Sequence, residues 1–202
     1  MKALTPFVRP GLRVGLLGGS FDPAHAGHVH ITQEALKRFD LDQVWWLITP
    51  GNPLKSQGPA ALDVRMARAQ SVMQHPRVHV TDIEDQLGTR FTAETLAALR
   101  AQCLGVNFIW LMGADNLAQF HLWQDWRSIM DTVSVGVLAR PGDRISARTS
   151  KAARIYSRTQ ISGKSSHLLG RTDVPNWCFV NVPMLPVSSS AIRESGAWAT
   201  EK

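Results

Sequence analysis

Two histidines, His25 and His28, close the stretch GGSFDPAHAGH that begins at Gly18. Gly18 and Gly19 carry no side chains, so an anionic ligand can come close to the backbone there. Pro23 stiffens the loop. If a helix opens at this point, its free N–H groups suit a phosphate, and the i,i+3 spacing turns both imidazoles to one side. Two such rings over a phosphate-binding turn can donate hydrogen bonds to charge developing on phosphoryl oxygens. Other chemistries fit less well. A zinc-type site needs a third ligand that the spacing does not supply, and a nucleophilic triad needs a well-placed Ser or Cys. The loop lacks the GK[ST] ending of a Walker A motif, and it is not GxGxxG. A purely structural histidine pair is the plain alternative.

The elements around the loop follow from hydrophobic pattern. Arg13–Leu17, Val44–Thr49, Val78–Asp82, Val106–Met112, Val133–Ala139 and Trp177–Val182 are short apolar runs that read as buried strands. His28–Phe39, Leu62–Gln74, Thr92–Gln102, Asn116–Phe120, Trp126–Met130 and Ser189–Ser195 read as helices, with Pro76 and Gly105 as stops. Continuous apolar strands alternating with helices predict an α/β protein: a Rossmann-like, doubly wound, mostly parallel sheet with helices on both faces. In such a sheet, ligands bind at the carboxyl ends of the strands near the switch point. The loop after the first strand lies there. The whole chain, 1–202, reads as a single domain, with 141–175 as an excursion from the sheet.

Composition is that of a globular protein, 44% hydrophobic and 19% charged. No apolar run approaches the roughly 18 residues of a membrane span. The first residues lack the apolar core of a signal peptide, so the expected location is the cytoplasm and no membrane partner is expected. Cys103 and Cys178 lie far apart and form neither a disulfide framework nor a zinc pattern. The net charge of +6 favours anionic partners, either phosphorylated metabolites or nucleic acid. Between Arg140 and Arg171 eight Lys/Arg face one acid, Asp143. That run is either a solvated helix face or a positive rim that draws in phosphates. Aromatic and basic residues do not interleave as in single-strand binders, so no nucleic acid is expected.

GGSFDPAHAGH resembles the GxFxPxHxGH signature of the nucleotidyltransferases that use an HxGH motif. Further blocks follow in order. Leu111–Leu117 (LMGADNL), with Phe120, His121, Leu122, Trp123 and Trp126, resembles the GxDxL…F…W…W block of bacterial nicotinate-nucleotide adenylyltransferases. Val187–Arg193 (VSSSAIR) resembles that family's ISSTxIR motif, and Arg90–Leu96 (RFTAETL) its SYTxxTL segment. Pro50–Lys55 (PGNPLK) sits where the family has a proline-rich loop ending in Lys. HxGH alone specifies only the superfamily; the ordered set covers nearly the whole chain.

The resemblance implies adenylyl transfer from ATP to nicotinate mononucleotide, giving nicotinate adenine dinucleotide and pyrophosphate. The mononucleotide's phosphate would attack the α-phosphorus in line, with no covalent enzyme intermediate. Mg2+ is implied as the companion of ATP, held by phosphates and water. By the same resemblance His25, His28 and Lys55 would be catalytic, contacting the phosphates. Gly18, Gly19, Ser20, Phe21, Gly113, Asp115, Ser188, Ser189 and Arg193 would bind ATP, Asp115 through its ribose. Phe91 and Thr92 would receive the nicotinate carboxylate on backbone groups, and Trp123 would stack on the ring. The remaining tryptophans read as packing residues.

The chain departs from the family pattern in places. Phe91 stands where Tyr is usual and Arg90 where Ser is usual. Asn52–Lys55 lacks the histidine of the common PPHK. The chain ends soon after Arg193, where the family continues with a further helical tail. Two rivals stand beside this reading. One is another HxGH enzyme, a phosphopantetheine adenylyltransferase or a cytidylyltransferase. The other is a non-catalytic nucleotide- or RNA-binding protein of the same fold.

Overall fold

The structure, a computed structural model, describes residues 5–51, 58–139, 144–183 and 185–198. Among the described residues seven strands form one sheet: β1 (Arg13–Gly19), β2 (Gln43–Ile48), β3 (Val78–Thr81), β4 (Asn107–Gly113), β5 (Ser134–Ala139), β6 (Gln160–Ile161) and β7 (Trp177–Asn181). Their order is β3-β2-β1-β4-β5-β7-β6, and every pairing is parallel. Sheets of this kind are covered on both faces, and for that reason the central strands read as unbroken apolar runs.

Alternation along the strands divides the core in two. Val14, Leu16, Trp45, Leu47, Trp110, Val135 and Val137 face one side. Leu17, Val44, Trp46, Ile48, Ile109 and Leu111 face the other. Helices α1 (Ala26–Arg38) and α2 (Leu62–Val72) cover the second side through Ala35, Leu36 and Ala69. Helices α3 (Ile83–Leu87), α4 (Thr92–Gln102), α5 (Ala114–Gln119) and α6 (Trp126–Thr132) cover the first through Ile83, Leu96, Leu99, Leu117 and Ile129. The doubly wound arrangement is therefore built by residue parity: Trp45 and Trp46 are adjacent, fully buried, and in different cores.

Within 144–175 the chain forms α7 (Arg144–Arg148) and α8 (Lys151–Ile155), which pack beside α5 and place Ala147, Ala152, Ala153 and Tyr156 in the first core. Ser150 caps α8. The two-residue strand β6 then pairs with β7 at the sheet edge. These pieces, like the five-residue α3, are too short to show a hydrophobic period. The last helix among the described residues is α9 (Ser189–Glu194). Among the described residues no helix is long and apolar enough to cross a membrane.

Candidate active site

Strands β1 and β4 are neighbours at the centre of the sheet, and the chain leaves their carboxyl ends in opposite directions. After β1 it enters α1 over the second core; after β4 it enters α5 over the first. This divergence opens a crevice at the switch point, and the GGSFDPAHAGH loop lies at its mouth.

Helix α1 begins at Ala26, two residues before the position the apolar pattern indicates, because His25 is its N-cap. The Gly27 N–H donates to His25 Nδ1 at 3.1 Å, and the His25 N–H donates to His28 Nδ1 at 3.2 Å. A pair of imidazoles thus does the work usually done by Ser and Glu in a capping box. An Nδ1 that accepts a main-chain N–H carries no proton, so each neutral ring holds its proton on Nε2. The rings lie 4.0 Å apart, centroid to centroid. Gly27 is required by the first ring: a Cβ there would stand 2.8 Å from His25 Cε1.

Phe21 holds the loop from beneath. It is buried, stacks on Trp46 at 4.7 Å, and lies 4.8 Å from the His28 ring. Its φ of 46° is left-handed, a conformation that a bulky side chain rarely adopts. Gly18 sits on the edge of the Trp110 ring, where a Cβ would come within 2.5 Å of Cη2. Gly19 packs against Phe21. The Ser20 carbonyl accepts from Arg65 at 2.8 Å.

Helix α9 docks on the same loop. Ser188 caps it by accepting from Ala191 N–H, and Ser189 Oγ donates to the Pro23 carbonyl at 2.9 Å. The Arg193 guanidinium donates to the Asp22 carbonyl and to Ser190 Oγ. Trp198 is more than a packing residue: its Nε1–H donates to Asp22 Oδ1 at 2.7 Å. Across the crevice Gly113 ends β4 and precedes α5, with Asp115 exposed in the first turn; a side chain on Gly113 would collide with the Asp115 carboxylate.

On the first-core side, Phe91 is the N-cap of α4, which starts at Thr92, and its side chain makes no capping hydrogen bond. Glu94 reaches back to accept the Arg90 and Phe91 N–H groups at 3.3 and 3.4 Å. Thr95 Oγ1 hydrogen-bonds Thr89 Oγ1 at 2.8 Å. Buried Glu84 meets Thr95, and burial pushes its carboxyl up from 4.5 to about 7, opposed by the Thr95 hydrogen bond. Trp123 is half-buried, edge-on to Phe120 at 5.2 Å and to Trp110 at 6.1 Å. It packs on the core that Ala93 also touches.

The β1–α1 loop thus gathers Gly18, Gly19, Ser20, Phe21, His25, His28, Ser188, Ser189 and Arg193 into one neighbourhood, with Gly113 and Asp115 at the neighbouring strand end. Lys55 lies outside the described residues. Arg65 was missed by sequence reasoning, although a signal existed: an arginine on the apolar stripe of α2, one turn from Ala69. A separate open cleft of about 660 Å3 lies between α8 and β7, lined in part by Arg148 and Arg154, and holds none of these residues.

This fold, with an imidazole pair at the switch point, defines a nucleotidyltransferase-type protein. The chain matches the cytidylyltransferase-like family model over residues 16–195. It is 66% identical over 199 residues to a probable nicotinate-nucleotide adenylyltransferase of Ruegeria pomeroyi, covering 98% of this chain and 93% of that one. It is 66% identical over 198 residues to a protein of the same description from Roseobacter denitrificans, covering 98% and 100%. In fold it is similar to the nicotinic acid mononucleotide adenylyltransferase of Plasmodium falciparum complexed with NaAD, with a TM-score of 0.67 at 15% identity over 91% of this chain and 83% of that one. The chain belongs to the nicotinate-nucleotide adenylyltransferase family within the cytidylyltransferase-like proteins.

Proposed function

We propose that the protein transfers the adenylyl group of ATP to nicotinate mononucleotide, in the biosynthesis of NAD, and that it does so in the cytoplasm. A phosphate oxygen of the mononucleotide attacks the α-phosphorus. The bond from that phosphorus to the oxygen bridging to the β-phosphate breaks in line, and pyrophosphate leaves. The observation that carries this reading is the histidine pair, with both Nδ1 atoms engaged by main-chain N–H groups. Each ring then offers a proton on Nε2, and two such donors stabilise charge that grows on the phosphoryl oxygens. The names of the relatives support the choice of adenylyl group and acceptor.

The other roles follow from chemistry at each position. Gly18 to Phe21 present backbone to the phosphates. Ser188, Ser189 and Arg193 close the loop from the α9 side, and Lys55 would add a cation. Asp115 suits the hydroxyls of the ATP ribose. The start of α4 at Phe91 and Thr92 suits a carboxylate, with Glu94 already accepting the Phe91 N–H and the N–H groups from Thr92 onward as the donors, since a helix N-terminus favours a negative group over a neutral amide. Trp123 supplies an aromatic face for the pyridine ring. The donors at the loop are imidazole, guanidinium, hydroxyl and main-chain N–H groups. They fit an anion, and so fit a magnesium ion that arrives on ATP and is held by phosphate oxygens and water. Bound there, magnesium would neutralise charge on the departing pyrophosphate.

The test is pyrophosphate release from Mg-ATP with nicotinate mononucleotide, nicotinamide mononucleotide and phosphopantetheine, each in turn. Release with the nicotinate form, strongly preferred over the other two, is expected. Preference for phosphopantetheine would replace the reading with a sister activity. No release with any acceptor from folded protein would overturn it.

A further inference from the structure

Arg65 is only 1% exposed, yet no carboxylate hydrogen-bonds its guanidinium among the described residues. Among the described residues its guanidinium bonds go to main-chain carbonyls. Nε donates to Ala60 at 2.7 Å; Nη1 to Ser20 at 2.8 Å and Thr49 at 2.7 Å; Nη2 to Pro50 at 3.3 Å. These carbonyls come from three separate places: the loop after β1, the end of β2 and the residues before α2. Burying a cation is costly unless it is fully hydrogen-bonded. A core position on α2 could hold a methionine or leucine at no such cost. Burial lowers the pKa of the Arg65 guanidinium, and the nearby Asp22 carboxylate opposes that shift.

The Ser20 bond has a geometric consequence. The peptide linking Ser20 to Phe21 is planar, and in a trans peptide the C=O and the following N–H point in opposite directions. Fixing the Ser20 carbonyl on Arg65 therefore turns the Phe21 N–H away from the guanidinium. The same holds for the Gly51 N–H across the peptide after Pro50. Phe21 is also the residue held at a left-handed φ of 46°. Such a conformation persists only where the surroundings over-determine it. Here the Arg65 bond fixes the peptide before it, and the ring contacts with Trp46 and His28 fix its side chain.

We propose that Arg65 is a positioning residue: it locks the β1 loop to the end of β2 and the start of α2, and aims the Phe21 N–H at the phosphates of ATP. The proposal rests on the adenylyl-transfer reading for the identity of the anion. Arginine is required because one planar fork reaches all three segments. A lysine ammonium in the same place is a point charge on a flexible stem.

The experiment compares the wild type with Arg65→Lys and Arg65→Met. It reads kcat and the KM of each substrate in pyrophosphate release, and the amide NMR signal of Phe21 during titration with Mg-ATP. A misplacement of about 1 Å can cost a hundredfold in rate. Both variants are therefore expected to lose about a hundredfold in kcat, with KM for ATP raised more than KM for nicotinate mononucleotide. The Phe21 amide is expected to shift with Mg-ATP in the wild type and to lose that response in the folded variants. Wild-type kcat and KM in both variants, whatever their melting temperatures, would overturn the proposal. So would a wild-type Phe21 amide that ignores saturating Mg-ATP, a result that needs no folded variant. If the wild type shows the Phe21 shift but releases no pyrophosphate with any acceptor, the role of Arg65 toward ATP is supported and the transfer reading fails.

Discussion

The backbone N–H of His25 donates to Nδ1 of His28 at 3.2 Å, so the second histidine of the motif caps the helix whose entrance the first one forms. One atom of the ring, Nδ1, serves the fold, and the neutral ring carries its proton on the other nitrogen. The two duties can be separated by substitution. The Oδ1 of an asparagine at position 28 can replace Nδ1 as acceptor, but its side chain is too short to replace the Nε2 donor. His28→Asn is expected to keep its melting temperature close to the wild type. Its kcat should fall by about a hundredfold or more, the effect of removing one donor to developing charge. His28→Ala should lose both activity and about 1 kcal/mol of stability with the cap. Calorimetry beside turnover decides the matter, and equal stability loss in both variants would show that the cap does not matter.

Glu84 makes stability depend on pH. Its carboxyl titrates near 7 in the folded chain instead of 4.5, because burial disfavours the charged form. Between those two values the folded protein binds more protons than the unfolded chain, so stability falls as pH rises through that window. The full loss is about 3 kcal/mol, complete above pH 7. Glu84→Gln is expected to remove this fall and to be more stable than the wild type at pH 8. Urea titrations at pH 5, 6, 7 and 8 would measure both slopes; parallel slopes would exclude the carboxyl as their source.

Gly18 is set by a steric limit. A Cβ there would meet Trp110 Cη2 at 2.5 Å, and Trp110 is itself buried. Gly18→Ala should therefore cost about 1–3 kcal/mol through displacement of the ring or the loop. Trp110 touches Trp123, so a shift of the ring reaches the aromatic residue assigned to nicotinate. A raised KM for nicotinate mononucleotide alongside the lower melting temperature is the expected pair of results. Paired substitution with Trp110→Phe should recover part of both.

Asp22 depends on a residue far along the chain. Its carboxylate accepts the Trp198 indole N–H at 2.7 Å and is largely buried. Trp198→Phe keeps a ring and removes the donor. The expected cost is about 1–2 kcal/mol, the range for a buried acceptor left without its partner. Asp22→Asn made in the Trp198→Phe background should add less than it does alone, and a double-mutant cycle reads the coupling directly. Additive effects would mean that the two side chains are independent.

The local features of this protein are legible in its sequence, because they arise from neighbours along the chain. Parallel strands buried on both faces must be apolar throughout, so β1, β2, β4, β5 and β7 appear as short apolar runs. Helix α4 shows its bounds, Thr92 to Gln102, in its own residues. The glycines and the histidine pair mark the turn between β1 and α1, and the loop's chemistry is contained in eleven consecutive residues, Gly18 to His28.

What tertiary structure alone decided is how distant segments meet that loop. Ser20 is bonded by Arg65, 45 positions away, and Asp22 by Trp198, 176 positions away. Phe21 rests on Trp46, a tryptophan that its strand alone would class as core. Short pieces such as α3, α7, α8 and the two-residue β6 carry too few residues to display a period, so packing against the sheet assigns them. The physical reason is common to all these cases. A hydrophobic pattern records which face of an element is buried, whereas a hydrogen bond between loops exists only after the sheet has brought their strand ends together.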